Sequence, residues 1–179
     1  VETLARFFMR HPDTQHLPRK IKFSFSDNDN DYAVSAIHDL GFIPRIADGK
    51  PGFKIMIGGS LGSVPIVARV FKEFVSLNDL LPNILGIIRA FDKHGDRSKR
   101  AEARLKFQLE KIGYEKFVGF VESEILNLKN EKYVFPELTV KFHKNEDFNF
   151  DNPFDENTNT ELFNWYKHNV LPTPRKNEY

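Results

Sequence analysis

Two lysines on one short segment are the first residues whose type and spacing could do chemistry. Residues 20–26 alternate between polar and apolar side chains, which predicts a β-strand with Lys20 and Lys22 on one face, about 7 Å apart along the strand. Two ammonium groups on one face repel each other unless water or an anion lies between them. With Arg19 beside them, they could bind a small oxyanion through charge-assisted hydrogen bonds. An edge strand protected by lysine explains the same pattern without a ligand, and the pattern alone favours that reading.

A glycine-rich turn is a second candidate anion site. Its residues follow a predicted strand and precede a predicted helix, so backbone N–H groups could face an anionic ligand; they are Gly58, Gly59, Ser60, Leu61 and Gly62. The spacing fits neither a dinucleotide fingerprint nor a P-loop. A tight turn needs no ligand, so this signal is weak alone.

An arginine-rich segment is the third candidate. Arg97, Arg100 and Arg104 are spaced i, i+3, i+7, which predicts three guanidiniums along one face of a helix over residues 97–112. Such groups suit carboxylates or phosphates. Interleaved glutamates make a solvated face the alternative. Nucleic-acid binding is a third possibility, which the balanced charge argues against.

Composition excludes several other classes of site. The 179 residues carry a net charge of +1, so any anion site must be local rather than the result of a global field. The absence of Cys excludes disulfides, thiolate zinc sites, a cysteine nucleophile and an iron–sulfur cluster held by this chain alone. The six His form no ligand pair in sequence, so we predict no metal site. The 18 Phe predict a core rich in aromatic side chains.

The elements that must position these residues form an α+β pattern. Strands are predicted over residues 20–26, 41–47 and 52–57, the last two joined as a hairpin through residues 48–51. Helices are predicted over residues 3–10, 32–40, 65–74, 78–93, 97–112, 114–128 and 161–170. We divide the chain into a module over residues 1–128 and a loop-rich arm over residues 129–179, with one strand-like run at 138–142.

Three segments resemble one family in the same order. LPRKIKFSFS at residues 17–26, the stretch from Gly41 to Gly62 that ends in GGSLG, and HGDRSKRAEARLKF at residues 94–107 resemble the sirohaem-dependent nitrite and sulfite reductases. The resemblance extends over about residues 1–124. The combination is specific, although each motif alone is weak.

The resemblance implies a fold and a set of roles. The fold is α+β, with a small mixed sheet covered by helices, and the reaction is the six-electron reduction of sulfite to sulfide or of nitrite to ammonia. Lys20 and Lys22 would bind the oxyanion, and they or an ordered water would supply protons. Arg19 would face a sirohaem carboxylate. The macrocycle would be cradled by the turn at residues 58–62 together with Arg97 and Arg100.

The departures from the family shape the remaining expectations. The family's four cluster cysteines and two further active-site arginines lie in other modules, and Ser60 replaces a glycine. The chain begins at Val1 and ends in a basic, polar run, so we expect a fragment of a cytoplasmic reductase that is inactive alone. Sirohaem and a 4Fe-4S cluster would belong to the full-length enzyme and not to this chain by itself.

The expected partners follow from the same resemblance. They are the remaining modules of the reductase, sulfite or nitrite, and ferredoxin or a flavoprotein as electron donor, with neither nucleic acid nor a membrane. A non-catalytic module that binds a tetrapyrrole or an oxyanion is the alternative function.

Overall fold

The computed structural model of the chain describes residues 1–139 and 160–170. Within these residues the helices are α1 (Glu2–Phe8), α2 (Leu77–His94), α3 (Leu105–Ile112), α4 (Tyr114–Asn130) and α5 (Thr160–Asn169). The strands are β1 (Phe23–Phe25), β2 (Leu40–Ala47), β3 (Lys50–Ile57) and β4 (Arg69–Ser76), and short 3-10 turns occupy Pro12–Thr14, Ser35–Ile37 and Arg100–Glu102. The chain divides into two compact units after Thr139, and the described part of the second unit contains α5.

The four strands form one mixed sheet in the order β1-β2-β3-β4. Strand β1 is parallel to β2, whereas the pairs β2–β3 and β3–β4 are antiparallel. A mixed sheet with helices confirms the predicted α+β class. No helix in the described ranges is long and apolar enough to cross a membrane.

The β2–β3 hairpin is confirmed, with a tighter turn than predicted. Ala47 already pairs with Lys50, so the loop contains only Asp48 and Gly49. Both loop residues have positive φ, 50° and 70°, which is the type I′ geometry that an Asp-Gly pair favours.

The core lies between one face of the sheet and the helices. Leu40 and Phe42 on β2 pair with Ile57 and Ile55 on β3, and all four side chains are fully buried. Helix α2 begins at the N-cap Ser76, whose Oγ accepts a hydrogen bond from the Asp79 N–H. Its apolar residues cover this face of the sheet and pack against α4. Among the described residues three phenylalanines are fully buried, in line with the aromatic core that the composition predicts; they are Phe42, Phe91 and Phe117.

Two predicted helices are wrong. Residues 32–40 form only the 3-10 turn Ser35–Ile37, because the Asp31 carboxylate accepts the Ser35 N–H at 2.8 Å and Val34 adopts a left-handed φ of 48°. Residues 65–74 lie largely in or beside β4. Register shifts between β3 and β4 interrupt the two-residue alternation, and the resulting apolar spacing imitates a helical period.

The two segments that carry the candidate cations also differ from the prediction. Regular strand pairing begins at Phe23, so Lys20 and Lys22 precede β1 rather than share one of its faces. Residues 97–112 are not one helix, since the 3-10 turn Arg100–Glu102 and Ala103 come before α3. The three arginines therefore do not line one helical face.

The remaining helices match the prediction closely. Helices α1, α2, α4 and α5 are confirmed within a few residues. Of the strand-like run at 138–142, Leu138 and Thr139 are in no strand, and the rest lies outside the described residues. Most of the predicted loop-rich arm also lies outside them.

Candidate functional site

An open cavity of about 560 Å³ separates two short stretches of chain that are distant in sequence. We call residues 17–20 the first wall and residues 97–103 the second wall. The described lining residues are Leu17, Pro18, Arg19, Lys20, Arg97, Arg100 and Ala103. Four of these seven are cationic and none is acidic. The structure thus brings four of the sequence candidates to one cavity.

Close packing brings the first wall against Gly95, two residues before the second wall. A Cβ at this position would overlap the ring of Pro18 in the first wall. Gly95 is also the C-cap of α2, where its N–H donates to the Phe91 carbonyl oxygen at 2.8 Å. The absence of a side chain at Gly95 therefore lets the first wall lie directly against the end of α2.

The guanidinium of Arg97 is paired with other groups of the same chain. Nη2 contacts the Asp92 carboxylate at 2.6 Å and donates to the His16 carbonyl oxygen at 3.2 Å, while Nη1 donates to the Asp92 carbonyl oxygen at 2.7 Å. These contacts balance the charge of Arg97 and connect the second wall to the residue that precedes the first wall.

The other three cations of the cavity have no such partners. In the described part of the chain, the side chains of Lys20 and Arg100 form no hydrogen bond or ion pair. The Nε atom of Arg19 is buried and has no acceptor. An unsatisfied buried donor costs about 1–3 kcal/mol, which an anionic ligand in the cavity would offset. The donor set therefore fits a carboxylate or an inorganic oxyanion.

Lys22 is exposed and is not among the lining residues. Its backbone connects it to the sheet, since its N–H donates to Asp39 Oδ2 at 3.0 Å and its carbonyl oxygen accepts from Leu40 N at 3.0 Å. Its side chain is thus exposed, two residues along the chain from the cavity-lining Lys20.

The glycine-rich turn does not line the cavity, and most of its backbone is used internally. A Cβ at Gly58 would overlap Leu109, and one at Gly59 would lie 2.7 Å from the His38 carbonyl oxygen. Ser60 is fully buried and exchanges two backbone hydrogen bonds with Ile66, of 2.8 and 2.9 Å. Gly58, Gly59 and Ser60 are therefore needed by the fold itself. Leu61 and Gly62 remain exposed.

Sequence reasoning missed two buried charged residues next to these elements. Lys106 is buried, and its Nζ donates to the Val64 carbonyl oxygen beyond the glycine-rich turn. Burial, with the nearby charge of Arg104, lowers the pKa of Lys106. Asp39 is fully buried, with both carboxylate oxygens 3.1 Å from Arg104 Nη2. For Lys106 the available signal was a lone charge between the apolar residues Leu105 and Phe107, whereas Asp39 follows His38 and has no such signal.

The described residues contain no group of three or more His, Asp or Glu side chains that could hold a metal ion.

Comparison with known proteins gives a consistent result. Residues 1–128 match the family model described as the nitrite and sulphite reductase 4Fe-4S domain. A sulfite reductase [ferredoxin] of Mycolicibacterium paratuberculosis is 30% identical over 128 residues, which cover 71% of this chain and 23% of that relative. The chloroplastic ferredoxin–nitrite reductase of Arabidopsis thaliana is 28% identical over 144 residues, or 80% of this chain and 25% of that relative.

A solved structure agrees with these sequence relatives. The NirA protein of Mycobacterium tuberculosis matches with a TM-score of 0.63 at 30% identity, over 71% of this chain and 23% of that chain. The chain spans about a quarter of the length of the curated relatives it matches.

Proposed function

The chain belongs to the nitrite and sulphite reductase 4Fe-4S domain family, and we propose that it is the part of a sulfite or nitrite reductase that binds the oxyanion and contacts a sirohaem. The observation that carries this proposal is the cavity between the two walls, where Arg19, Lys20 and Arg100 have unpaired donors. Uncompensated cations at an open cavity suit an anionic substrate and the acidic side chains of a tetrapyrrole.

Each cation has a distinct role in the proposal. Lys20 donates to the oxyanion and can release a proton to it, and Lys22 is the second ammonium on the same stretch of chain. Arg19 and Arg100 hold tetrapyrrole carboxylates, for which a planar guanidinium is suited. Arg97, whose guanidinium already has partners, contributes mainly by holding the walls together.

The glycine-rich turn has a narrower role than the resemblance implies. Leu61 and Gly62 are its exposed residues and would contact the face of the macrocycle. Sirohaem, when bound, supplies the electron transfer that reduces the oxyanion. The residues of this chain bind and orient the anion.

The residues do not fit a 4Fe-4S cluster, because the sequence has no Cys to supply thiolates. The ligands of a cluster would therefore come from outside this chain. Ferredoxin appears in the names of both relatives and is the electron donor we propose.

Expression of the longest reading frame that contains this chain, in a host supplied with sirohaem, tests the proposal. We expect visible absorption of a sirohaem, iron in excess of one atom per tetrapyrrole, and reduction of sulfite or nitrite with a chemical reductant. The faster of the two reactions identifies the substrate. A colourless, iron-free product without either activity would overturn the proposal and favour a non-catalytic binding module.

A further inference from the structure

The buried carboxylate of Asp39 contacts the chain just beyond the C-terminal end of each cavity wall. Its Oδ2 accepts the Lys22 N–H at 3.0 Å and lies 3.1 Å from Arg104 Nη2, which also lies 3.1 Å from Oδ1. Lys22 follows the first wall by two residues, and Arg104 directly follows the second wall. One carboxylate therefore joins the two stretches that carry Lys20 and Arg100.

We propose that Asp39 is a positioning residue that sets the separation of Lys20 and Arg100 across the cavity. The inference rests on the proposed function, since it assigns Asp39 to the geometry of that same anion site. Asp39 itself is 0% exposed and does not line the cavity, so it acts through Lys22 and Arg104.

Asp39 is attached directly to the central sheet. It immediately precedes Leu40, a fully buried residue that begins β2, and its carbonyl oxygen accepts the Gly58 N–H at 2.9 Å. The walls are less regular, because residues 17–22 and 97–99 belong to no helix or strand. The contacts that Asp39 makes with Lys22 and Arg104 therefore help to fix the position of each wall.

A second connection lies at the opposite ends of the same two walls. Arg97 begins the second wall and donates to the His16 carbonyl oxygen, one residue before the first wall. The walls are thus connected at both ends, with Lys20 and Arg100 between the connections and without partners of their own. A binding site in which the cations are free while their backbones are held is preorganised for a ligand.

Stability alone is a weak explanation for this buried ion pair. The desolvation of two buried charges can exceed their attraction, and apolar replacements are often as stable. Arg104 also has a buried Nε without an acceptor, which adds to the cost. We therefore assign to the Asp39–Arg104 pair the role of fixing the positions of the two walls.

Two variants of the full-length protein test the proposal, with Lys20→Ala as a reference. Asp39→Asn removes the charge, and Arg104→Lys keeps the charge while losing the guanidinium geometry. The measurements are KM and kcat for sulfite or nitrite, and amide hydrogen exchange of peptides over residues 17–24, 97–104 and 77–94. Residues 77–94 form α2 and report on the core.

We expect faster exchange in residues 17–24 and 97–104 of both variants, with α2 unchanged. KM should rise about tenfold, with a smaller change in kcat, because misplacement of binding groups by about an ångström weakens binding. If Asp39→Asn does not fold, the KM and the hydrogen exchange of Arg104→Lys test the proposal.

Three results would contradict the account, and they differ from one another. Uniformly faster exchange, including α2, would mean that Asp39 only stabilises the fold. An unchanged KM in the variants, with KM raised by Lys20→Ala, would overturn the role of Asp39 and leave the proposed function intact. An unchanged KM and kcat in all three variants would overturn the proposed function itself.

Discussion

Arg97 and His16 are joined by a hydrogen bond of 3.2 Å from guanidinium Nη2 to the main-chain carbonyl oxygen. The same guanidinium pairs with Asp92 at 2.6 Å. Arg100, three residues further on, lines the same cavity without a side-chain partner among the described residues. Two arginines that look equivalent in sequence therefore have different roles, one in holding the walls and one in meeting a ligand.

This difference predicts that two alanine substitutions affect different properties, stability for Arg97→Ala and sirohaem content for Arg100→Ala. Arg97→Ala should lower the free energy of unfolding by about 1–2 kcal/mol, because it removes charge-assisted hydrogen bonds at a partly exposed site. Arg100→Ala should change it by less than about 0.5 kcal/mol while lowering the sirohaem content of the purified protein. Urea unfolding and visible absorption measure the two effects. Equal destabilisation by both substitutions would contradict the assignment.

The glycine-rich turn gives a prediction about the fold. Gly59→Ala should destabilise the protein by about 2 kcal/mol or more, because its Cβ would meet the carbonyl oxygens of Ala36 and His38. Gly119→Ala is the matched control, since this helical glycine has open space around it and the substitution should stabilise α4 by about 0.5–1 kcal/mol. Thermal unfolding of both variants provides the comparison. A Gly59→Ala variant as stable as the parent would show that this glycine is free for a ligand.

Asp96, just before the second wall, gives a prediction about pH. Hydrogen bonds from Lys111 and Ser98 hold the pKa of its carboxyl below the ordinary value of 3.8. Since the folded-state pKa is depressed, its contribution to stability is complete above about pH 4 and is lost as the pH falls through the folded-state pKa. Asp96→Asn should therefore destabilise the protein near neutral pH, and the difference should shrink below about pH 4. Urea unfolding across pH 7 to 3 measures this, and a difference independent of pH would exclude the mechanism.

Much of the fold could be predicted from local patterns. The β2–β3 hairpin and the bounds of α2 and α4 follow from turn chemistry, capping and helical periodicity. The failures occurred where tertiary pairing overrode the local pattern. Residues 69–76 have helical apolar spacing but pair with β3 across two register shifts.

The site was less accessible to sequence reasoning. Lys20 and Arg100 were each recognised as candidate anion ligands, but nothing local indicates that they line one cavity. Only the resemblance linked the two segments. In the structure the two segments meet at Asp39, which contacts the Lys22 N–H and Arg104, and these three residues are far apart in sequence.

The most direct test of the central claim compares Lys20→Ala with Lys50→Ala in the full-length protein. Lys50 is an exposed lysine at the start of β3, and it does not line the cavity. We expect Lys20→Ala to lower the turnover of sulfite or nitrite by about a hundredfold, the effect typical of removing one preorganised donor, with the visible spectrum unchanged. Lys50→Ala should retain the turnover of the parent. Equal turnover in the two variants would contradict the claim that the cavity between the two walls binds the oxyanion.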